Sequence, residues 1–163
     1  AYNFAVNACQ IFADDNRWNI AMPIINGLQL SYVDFFTTRH NYFNIHSGII
    51  RKGAVRAENG EQLIIPLNMR DGSLICRGKG NDDWLCSAPH GAGRLMSRTK
   101  AKETLTMEEY RKGMQGIYST SVCESTIDES PMAYKSAEEI EALIGDTVEV
   151  VKRIKPIYNF KAK

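Results

Sequence analysis

The sequence lacks the features that identify membrane, secreted or strongly charged proteins. Its longest apolar runs are only a few residues, too short for a transmembrane helix, and its first residues lack the basic region of a signal peptide. The 20 basic and 19 acidic side chains leave a net charge of +1. Any nucleic acid partner must therefore bind through a local basic patch, and no membrane partner is expected.

Cysteine and histidine are also scarce. The four cysteines (Cys9, Cys76, Cys86 and Cys123) include no CxxC pair, so we expect reduced, mostly buried thiols in a cytoplasmic protein. The three histidines include no pair at the i, i+4 spacing of a helical metal site. The 163 residues are enough for one domain. Because the chain opens on Ala1 within a helical pattern, we expect a piece of a longer protein.

One short stretch combines the residue types that handle phosphate. It is SAPHGAGRLMSR, residues 87–98, in which His90 is followed by Gly91, Ala92, Gly93 and Arg94. Small residues let backbone N–H groups approach a phosphate, arginine forks onto phosphate oxygens, and histidine is a nucleophile near neutral pH. The next residues favour a helix, whose N-terminus would add positive potential. The pattern predicts covalent phosphoryl or nucleotidyl transfer at His90.

The same residues have a simpler interpretation, which the pattern alone leaves open. Gly-Ala-Gly is common in tight turns, and a His-Gly pair occurs where a helix begins without any catalytic role. Short glycine-rich matches also arise often by chance. Further matching elements are needed to decide between a turn and a reactive site.

The stretch HGAGR-x-MSR resembles the signature of the RtcB family of RNA ligases. Three further elements follow the family's order, namely RKGA at residues 51–54, DESPMAYK at residues 128–135, and Lys161 near the C-terminus. The resemblance implies that residues 1–163 are the C-terminal part of a larger catalytic domain. We expect an α+β fold, an irregular, mostly antiparallel sheet covered by helices. An exposed apolar face is expected where the missing part packs.

The resemblance implies nucleotide and metal contacts at positions spread along the chain. His90 matches the nucleophile, Arg94 matches a phosphate ligand, and His40, followed by Asn41 in a His-Asn element, matches a manganese ligand. Tyr134 matches the tyrosine that stacks near the guanine base. Other implied nucleotide contacts are Asn41, Pro66, Leu67, Asn68, Met69, Ser73, Gly91, Ala92, Gly93 and Lys161. The implied cofactors are GTP and Mn²⁺, and the basic residues of RKGA are expected to face substrate phosphate.

The sequence departs from the family at some of these elements. In the loop of residues 66–72, Leu67 and Asn68 replace the usual glycine and serine, and leucine lacks the freedom of glycine at positive φ. An Asn-Arg pair of the family's first helix falls on Ala8 and Cys9. A two-metal site needs several carboxylate, thiolate or imidazole ligands. The missing N-terminal part of the protein is therefore the expected source of the other manganese ligands.

The implied function is the joining of RNA ends. His90 attacks the α-phosphorus of GTP and releases pyrophosphate. An RNA 2′,3′-cyclic phosphate, opened to a 3′-phosphate, then takes the GMP, and a 5′-hydroxyl end displaces it. The RNA partner is a pair of tRNA halves or broken RNA ends, and this chain alone is expected to be inactive.

Two other functions fit the same residues. The chain could be a diverged or truncated, non-catalytic module that binds nucleotide, RNA or a partner chain. It could also transfer phosphoryl groups through His90 in a reaction unrelated to RNA. The altered loop of residues 66–72 favours the non-catalytic module, whereas the HGAGR and DESPMAYK elements favour the ligase.

Local patterns predict most of the secondary structure. Apolar spacing predicts a helix from Ala1 to about Ile20 that fades toward Pro23. Capping boxes beginning at Thr106 and Ser136 predict two further helices. Strands are predicted from apolar segments separated by turns, and they are residues 50–57 as a strand–turn–strand, 62–65, 73–77 and 147–163.

Overall fold

The computed structural model describes residues 2–161 of the chain. Within this range the helices are α1 Tyr2–Gly27, α2 Arg98–Thr104, α3 Met107–Gly113 and α4 Ala137–Leu143. The strands are β1 Asn41–Phe43, β2 Ile50–Lys52, β3 Ala54–Arg56, β4 Gln62–Pro66, β5 Ser73–Gly78, β6 Ser87–Pro89, β7 Tyr118–Ser119, β8 Val148–Ile154 and β9 Tyr158–Asn159. Short 3₁₀ turns cover Asp82–Trp84, Glu124–Glu129 and Pro131–Ala133. The mixture of helices and strands confirms the predicted α+β class.

The strands of this range pair into four small sheets instead of one. The largest has the order β4-β5-β8 and is antiparallel throughout. Two further antiparallel pairs are β1 with β2 and β3 with β6. Only the two-residue pair of β7 and β9 is parallel. The prediction of mostly antiparallel pairing is thus confirmed.

The main core lies between the three-stranded sheet and α4. Alternate residues of β4 and β5 point to one face, and Leu63, Ile65, Leu74 and Cys76 on that face are buried. Ala137 and Ile140 of α4, together with other small and branched side chains, complete this cluster. The packing fixes the edge of the sheet from which the loop of residues 66–72 projects.

A second, smaller core lies beneath α3. The helix begins at the predicted capping box, in which Thr106 and Glu109 each bond the other's backbone N–H, and it ends at Gly113 as expected. Its Tyr110 is fully buried, and the phenol donates a hydrogen bond to Met69 Sδ at 3.1 Å. This core therefore holds the far end of the same loop, because Met69 belongs to it.

Helix α1 is longer than the sequence pattern predicts. It continues through Pro23 to Gly27, whereas its predicted first residue, Ala1, lies outside the described range. No residue of this helix is buried, so water can satisfy the carbonyl that loses its partner at Pro23. Phe4 and Phe12 are 81% and 72% exposed. The expected exposed apolar face is therefore found along α1.

The cysteines are less buried than the sequence predicts. The four cysteines are free, as predicted, but only Cys76 is buried; Cys9 is exposed, and Cys86 and Cys123 are intermediate. The prediction of mostly buried thiols is therefore wrong, because three of them lie on irregular or exposed segments.

No helix of the described part combines the length and apolar character that a membrane span requires.

Arg51, in the RKGA element, is buried instead of facing a ligand. It is 3% exposed, and its guanidinium donates to Ser87 Oγ at 2.8 Å, Leu85 O at 2.8 Å and Tyr42 Oη at 3.2 Å. A further bond reaches Cys86 O. Every one of these acceptors is uncharged. The side chain therefore ties β2 to the segment that leads into β6, and the expectation that it faces phosphate is wrong.

This clamp holds an unusual backbone. Leu85 and Cys86 have φ values of 50° and 46°, a left-handed conformation that costs a non-glycine residue on the order of 1 kcal/mol or more. Both residues offer their carbonyl oxygens to the guanidinium of Arg51. The interaction stabilises the turn immediately before β6 and so determines where β6 begins.

We predict that Arg51→Met lowers the free energy of unfolding by about 2–4 kcal/mol, because the four acceptors around the buried guanidinium lose a charged donor. Urea unfolding followed by circular dichroism measures the change. The adjacent Lys52→Met removes an exposed lysine and should stay within about 0.5 kcal/mol of the wild type. Equal stabilities of the two variants would contradict the proposed clamp.

Candidate active site

An open groove of about 790 Å³ collects residues from five segments of the chain. Nearly all of the predicted contact residues line it, and they are His40, Pro66, Leu67, Asn68, Met69, Ser73, His90, Gly91, Ala92, Gly93, Arg94, Tyr134 and Lys161. Asn41 is the exception: its side chain accepts a hydrogen bond from the Gly53 N–H at 2.9 Å, and it lines an adjoining pocket next to α1.

His90 has a defined protonation pattern. It directly follows β6, and its Nδ1 lies 2.7 Å from the carbonyl oxygen of Gly53. Because a carbonyl oxygen can only accept, Nδ1 carries the proton in this bond. The lone pair of the neutral ring is then on Nε2. This arrangement leaves one ring nitrogen of His90 available as a nucleophile.

Gly53 provides this carbonyl from a tight turn between β2 and β3. Its φ is +68°, a conformation that favours glycine. A Cβ at this position would lie 3.6 Å from His90 Nδ1 and Cε1, which is ordinary contact. The backbone conformation, and not a lack of space, is therefore what requires glycine here.

The ring of His40 stacks on that of His90. Their centroids are 5.4 Å apart and the ring planes differ by 13°. Burial, followed by the neighbouring His90 and Arg17, lowers the pKa of His40 below the ordinary value of a histidine. His40 is therefore kept neutral, the form in which imidazole binds a metal ion.

The glycines after His90 do not open a helix. The Ala92 N–H donates to Pro66 O, while Gly93 O and the Leu95 N–H bond to the segment around Tyr134. Because these groups bond to distant parts of the chain, the next helix, α2, begins only after Ser97, whose side chain caps it. Within residues 2–161, the N–H groups of Gly91 and Gly93 have no protein acceptor. Positive potential beside His90 thus comes from loop amides, not from a helix N-terminus.

The altered loop of residues 66–72 keeps its place along the groove. Leu67 lies outside the left-handed region and is buried in the main core, so this position does not need the freedom of glycine. Gly72, with φ of +80°, makes the tight turn instead. Asn68 Oδ1 accepts from the N–H groups of Arg70 and Asp71 at 3.0 and 2.9 Å. Asn68 therefore acts as a turn residue within the loop.

The guanidinium of Arg94 is hydrogen-bonded to acceptors of the protein itself. Its guanidinium donates to Tyr134 Oη at 3.0 Å, to Met96 O at 3.2 Å and to the carbonyl oxygen of Asp128. The same group lies 4.9 Å from the centroid of the Tyr134 ring. A phosphate would have to compete with these acceptors. In this structure Arg94 fixes the position of Tyr134 on the groove wall.

Glu129 joins the charged residues at this end of the groove. One oxygen accepts from Tyr134 Oη at 2.8 Å and lies 3.2 Å from Lys161 Nζ. The other lies 3.1 Å from Arg98 Nη2 and 3.6 Å from Arg94 Nη1. Burial, and after it the hydrogen bond to this carboxylate, raises the pKa of Tyr134 to about 12. The hydroxyl of Tyr134 therefore remains protonated at neutral pH.

A family model described as tRNA-splicing ligase RtcB matches residues 1–162. The chain belongs to the RtcB family. It is 35% identical over 173 residues to RNA-splicing ligase RtcB1 of Escherichia coli ATCC 25922 and, to the same extent, to RNA-splicing ligase RtcB of Escherichia coli K12. Each match covers 96% of this chain and 42% of the relative. A tRNA-splicing ligase RtcB of Aeropyrum pernix is 35% identical over 130 residues, covering 67% of this chain and 27% of the relative.

The histidine, cysteine and acidic side chains of residues 2–161 of this RtcB-family chain are spread apart. Among the described residues no group of three or more histidine, cysteine, aspartate or glutamate side chains is arranged to hold a metal ion. His40 provides one neutral imidazole, which is not sufficient for a manganese site. The metal and cofactor roles inferred from the resemblance accordingly remain predictions for this chain.

Several groove residues of this RtcB-family chain are not among the contacts that the resemblance implies. They are Gly72, Arg98, Glu129, Ile154, Lys155, Pro156 and Asn159. Glu129 and Arg98 lie within DESPMAYK and SAPHGAGRLMSR, so the motifs themselves contained a signal for them. The segment around Asn159 has no such motif. Its place in the groove follows from the pairing of β7 with β9 and from the hydrogen bond that Asn159 Nδ2 donates to Met69 O at 3.3 Å.

We predict that acid destabilises the protein partly through Glu129. Burial raises the pKa of this carboxyl, but the Tyr134 hydroxyl and the Lys161 ammonium outweigh burial and lower the pKa overall. Its contribution to stability is complete above the pKa of an unfolded glutamate, about 4.3. The contribution is lost as the pH falls through the lower folded pKa.

Urea unfolding at a series of pH values tests this prediction. Glu129→Gln should show a weaker loss of unfolding free energy on acidification than the wild type does. The matched variant Glu124→Gln changes an exposed carboxyl and should keep the wild-type dependence. Identical pH dependences for Glu129→Gln and the wild type would show that the carboxylate network contributes nothing.

Proposed function

We propose that residues 1–163 are the C-terminal part of the catalytic domain of an RNA ligase that acts in the cytoplasm. Membership of the RtcB family supports this proposal, since the relatives are named RNA-splicing and tRNA-splicing ligases. The chain spans about two fifths of the length of the Escherichia coli relatives. The activity proposed here is that of the complete ligase, and the chain alone is expected to be inactive.

In the proposed first step, His90 Nε2 attacks the α-phosphorus of GTP. A nitrogen–phosphorus bond forms, the bond to the β-phosphate oxygen breaks, and pyrophosphate leaves with its electron pair. The bond from Nδ1–H to the Gly53 carbonyl stabilises the positive charge that develops on the ring. The single observation that carries the proposal is this hydrogen bond, because it directs the lone pair of His90 to Nε2.

The groove offers different chemistry at its two ends, which suits a nucleotide. Near His90, the unpaired N–H groups of Gly91 and Gly93 can bind phosphate oxygens. At the other end, the Tyr134 ring offers a surface for a guanine base, and the Lys161 ammonium offers a charged donor. A volume of about 790 Å³ is in the range of ligand pockets.

The RNA steps follow from the same covalent intermediate. The 3′-phosphate of one RNA end attacks the phosphorus on His90 Nε2, the nitrogen–phosphorus bond breaks, and GMP passes to the RNA. A 5′-hydroxyl then displaces GMP and forms the phosphodiester. RNA ends bearing a 2′,3′-cyclic phosphate enter after opening to the 3′-phosphate. His40 is proposed as one manganese ligand, and residues outside this chain are proposed to complete that site.

A second candidate function is a non-catalytic module that binds nucleotide, RNA or a partner chain. The observation that favours it is the absence of a three-residue metal group among the described residues. The engagement of Arg94 by protein acceptors points the same way. The exposed apolar face of α1 offers a surface for the remainder of such a protein.

We predict that the complete ligase gains one GMP, seen by intact-mass spectrometry, after incubation with GTP and Mn²⁺. His90→Ala should abolish the gain, because the alanine has no nucleophile. His46→Ala is a matched control, since His46 is exposed and does not line the groove, and it should gain GMP normally. A gain that persists in His90→Ala would identify another nucleophile, and no gain in the wild type would favour the non-catalytic module.

A further inference from the structure

The segment that carries Lys161 is held to the protein by few backbone contacts. After β8 the chain returns to the groove through β9, which pairs with β7 over only two residues: Tyr118 opposite Tyr158 and Ser119 opposite Asn159. Two residues of parallel pairing give little stabilisation. Lys161 lies beyond this pairing, so a different interaction must hold it in place.

Ser121 provides that interaction. Its hydroxyl accepts a hydrogen bond from the Lys161 N–H at 2.9 Å and donates one to the Lys161 carbonyl oxygen at 3.1 Å. One side chain thus holds both backbone groups of the lysine. The pair continues the register of β7 and β9 by two residues, although no ladder is formed there.

The hydroxyl of Ser121 is itself well fixed. Ser121 is 1% exposed, and its N–H donates to Ser119 Oγ at 3.1 Å. Ser119 Oγ in turn donates to Asn159 O at 2.7 Å. The geometry is therefore maintained by a short chain of bonds between the β7 and β9 segments. If a buried hydroxyl of this kind loses its partner, water cannot take the partner's place.

The side chain of Lys161 is directed separately, by Glu129. Its ammonium lies 3.2 Å from the carboxylate, which also accepts from the Tyr134 hydroxyl at 2.8 Å. The side chain of Lys161 is 41% exposed, so the carboxylate alone does not immobilise it. Backbone and ammonium together define the position of the charge on the groove wall.

We propose that Ser121 is a positioning residue for nucleotide binding: its hydroxyl holds the backbone of Lys161 so that the ammonium meets the nucleotide. The inference rests on the proposed role of Lys161 as a guanine nucleotide contact. Ser121 itself does not line the groove and touches no ligand. Its effect on binding must therefore pass through Lys161.

A double-mutant cycle tests this dependence. GTP binding to the complete ligase is measured by equilibrium dialysis for the wild type, Ser121→Ala, Lys161→Ala and the double variant. Ser121→Ala should weaken binding by about tenfold, the scale of one or two lost hydrogen bonds. The double variant should bind no more weakly than Lys161→Ala. The control Thr120→Ala removes a neighbouring hydroxyl that contacts Tyr158 Oη and should bind as the wild type does.

Each outcome of the cycle is informative. Unchanged binding in Ser121→Ala, or a further loss in the double variant equal to that in Ser121→Ala alone, would overturn the positioning role. If Ser121→Ala does not fold, as judged by circular dichroism, Ser121→Cys keeps the volume with a weaker bonding group and passes through the same cycle. A wild-type ligase that does not bind GTP would overturn the proposed function, and the positioning role with it.

Discussion

The hydrogen bond between the Gly53 carbonyl oxygen and His90 Nδ1 determines what the groove can do. Without it, either ring nitrogen of His90 could carry the proton, and a nucleophile would face the groove only part of the time. The bond depends on a left-handed glycine between β2 and β3 and on the correct start of β6. Arg51 secures that start through the carbonyls of Leu85 and Cys86. The buried guanidinium of Arg51 thus stabilises the turn that positions His90.

At the other end of the groove, one carboxylate has a comparable role. Glu129 contacts Tyr134, Lys161, Arg98 and Arg94, so residues from three separate parts of the chain share one counter-charge. Arg94 lies only four residues after His90, yet its guanidinium donates a hydrogen bond to Tyr134 Oη at the other end of the groove. The segment from His90 to Arg94 therefore links both ends of the groove. Gly93, with φ of +71°, supplies a bend in this segment.

Local sequence patterns predicted the elements whose stabilisation is local. The capping box at Thr106 is of this kind, because its side chains bond to backbone N–H groups three residues away. Strands β4 and β5 show their alternation locally, although their buried side chains pack against the distant helix α4. The prediction of a helix that begins directly after Gly93 was wrong. The backbone groups of residues 92–95 bond instead to Pro66 and to the segment around Tyr134. Such distant partners leave no mark on a local pattern.

The candidate site divides in the same way. Nearly every residue that the motifs indicate lines one groove of the structure, but the motifs do not reveal the partners that orient these residues. The Gly53 carbonyl is 37 residues from His90, and the Ser121 hydroxyl is 40 residues from Lys161. A charged residue such as Arg51 is ordinarily read as exposed. Only the fold shows the four uncharged acceptors that surround its buried guanidinium.

The most direct test of this account is the tautomer of His90. Two-bond proton–nitrogen correlation spectra of protein labelled with ¹⁵N-histidine distinguish a protonated Nδ1 from a protonated Nε2, and His90→Asn identifies the signal that belongs to this residue. The account predicts that the neutral form of His90 carries its proton on Nδ1 and has a bare Nε2. A proton found on Nε2 would contradict it, because the lone pair would then point to the Gly53 carbonyl instead of into the groove.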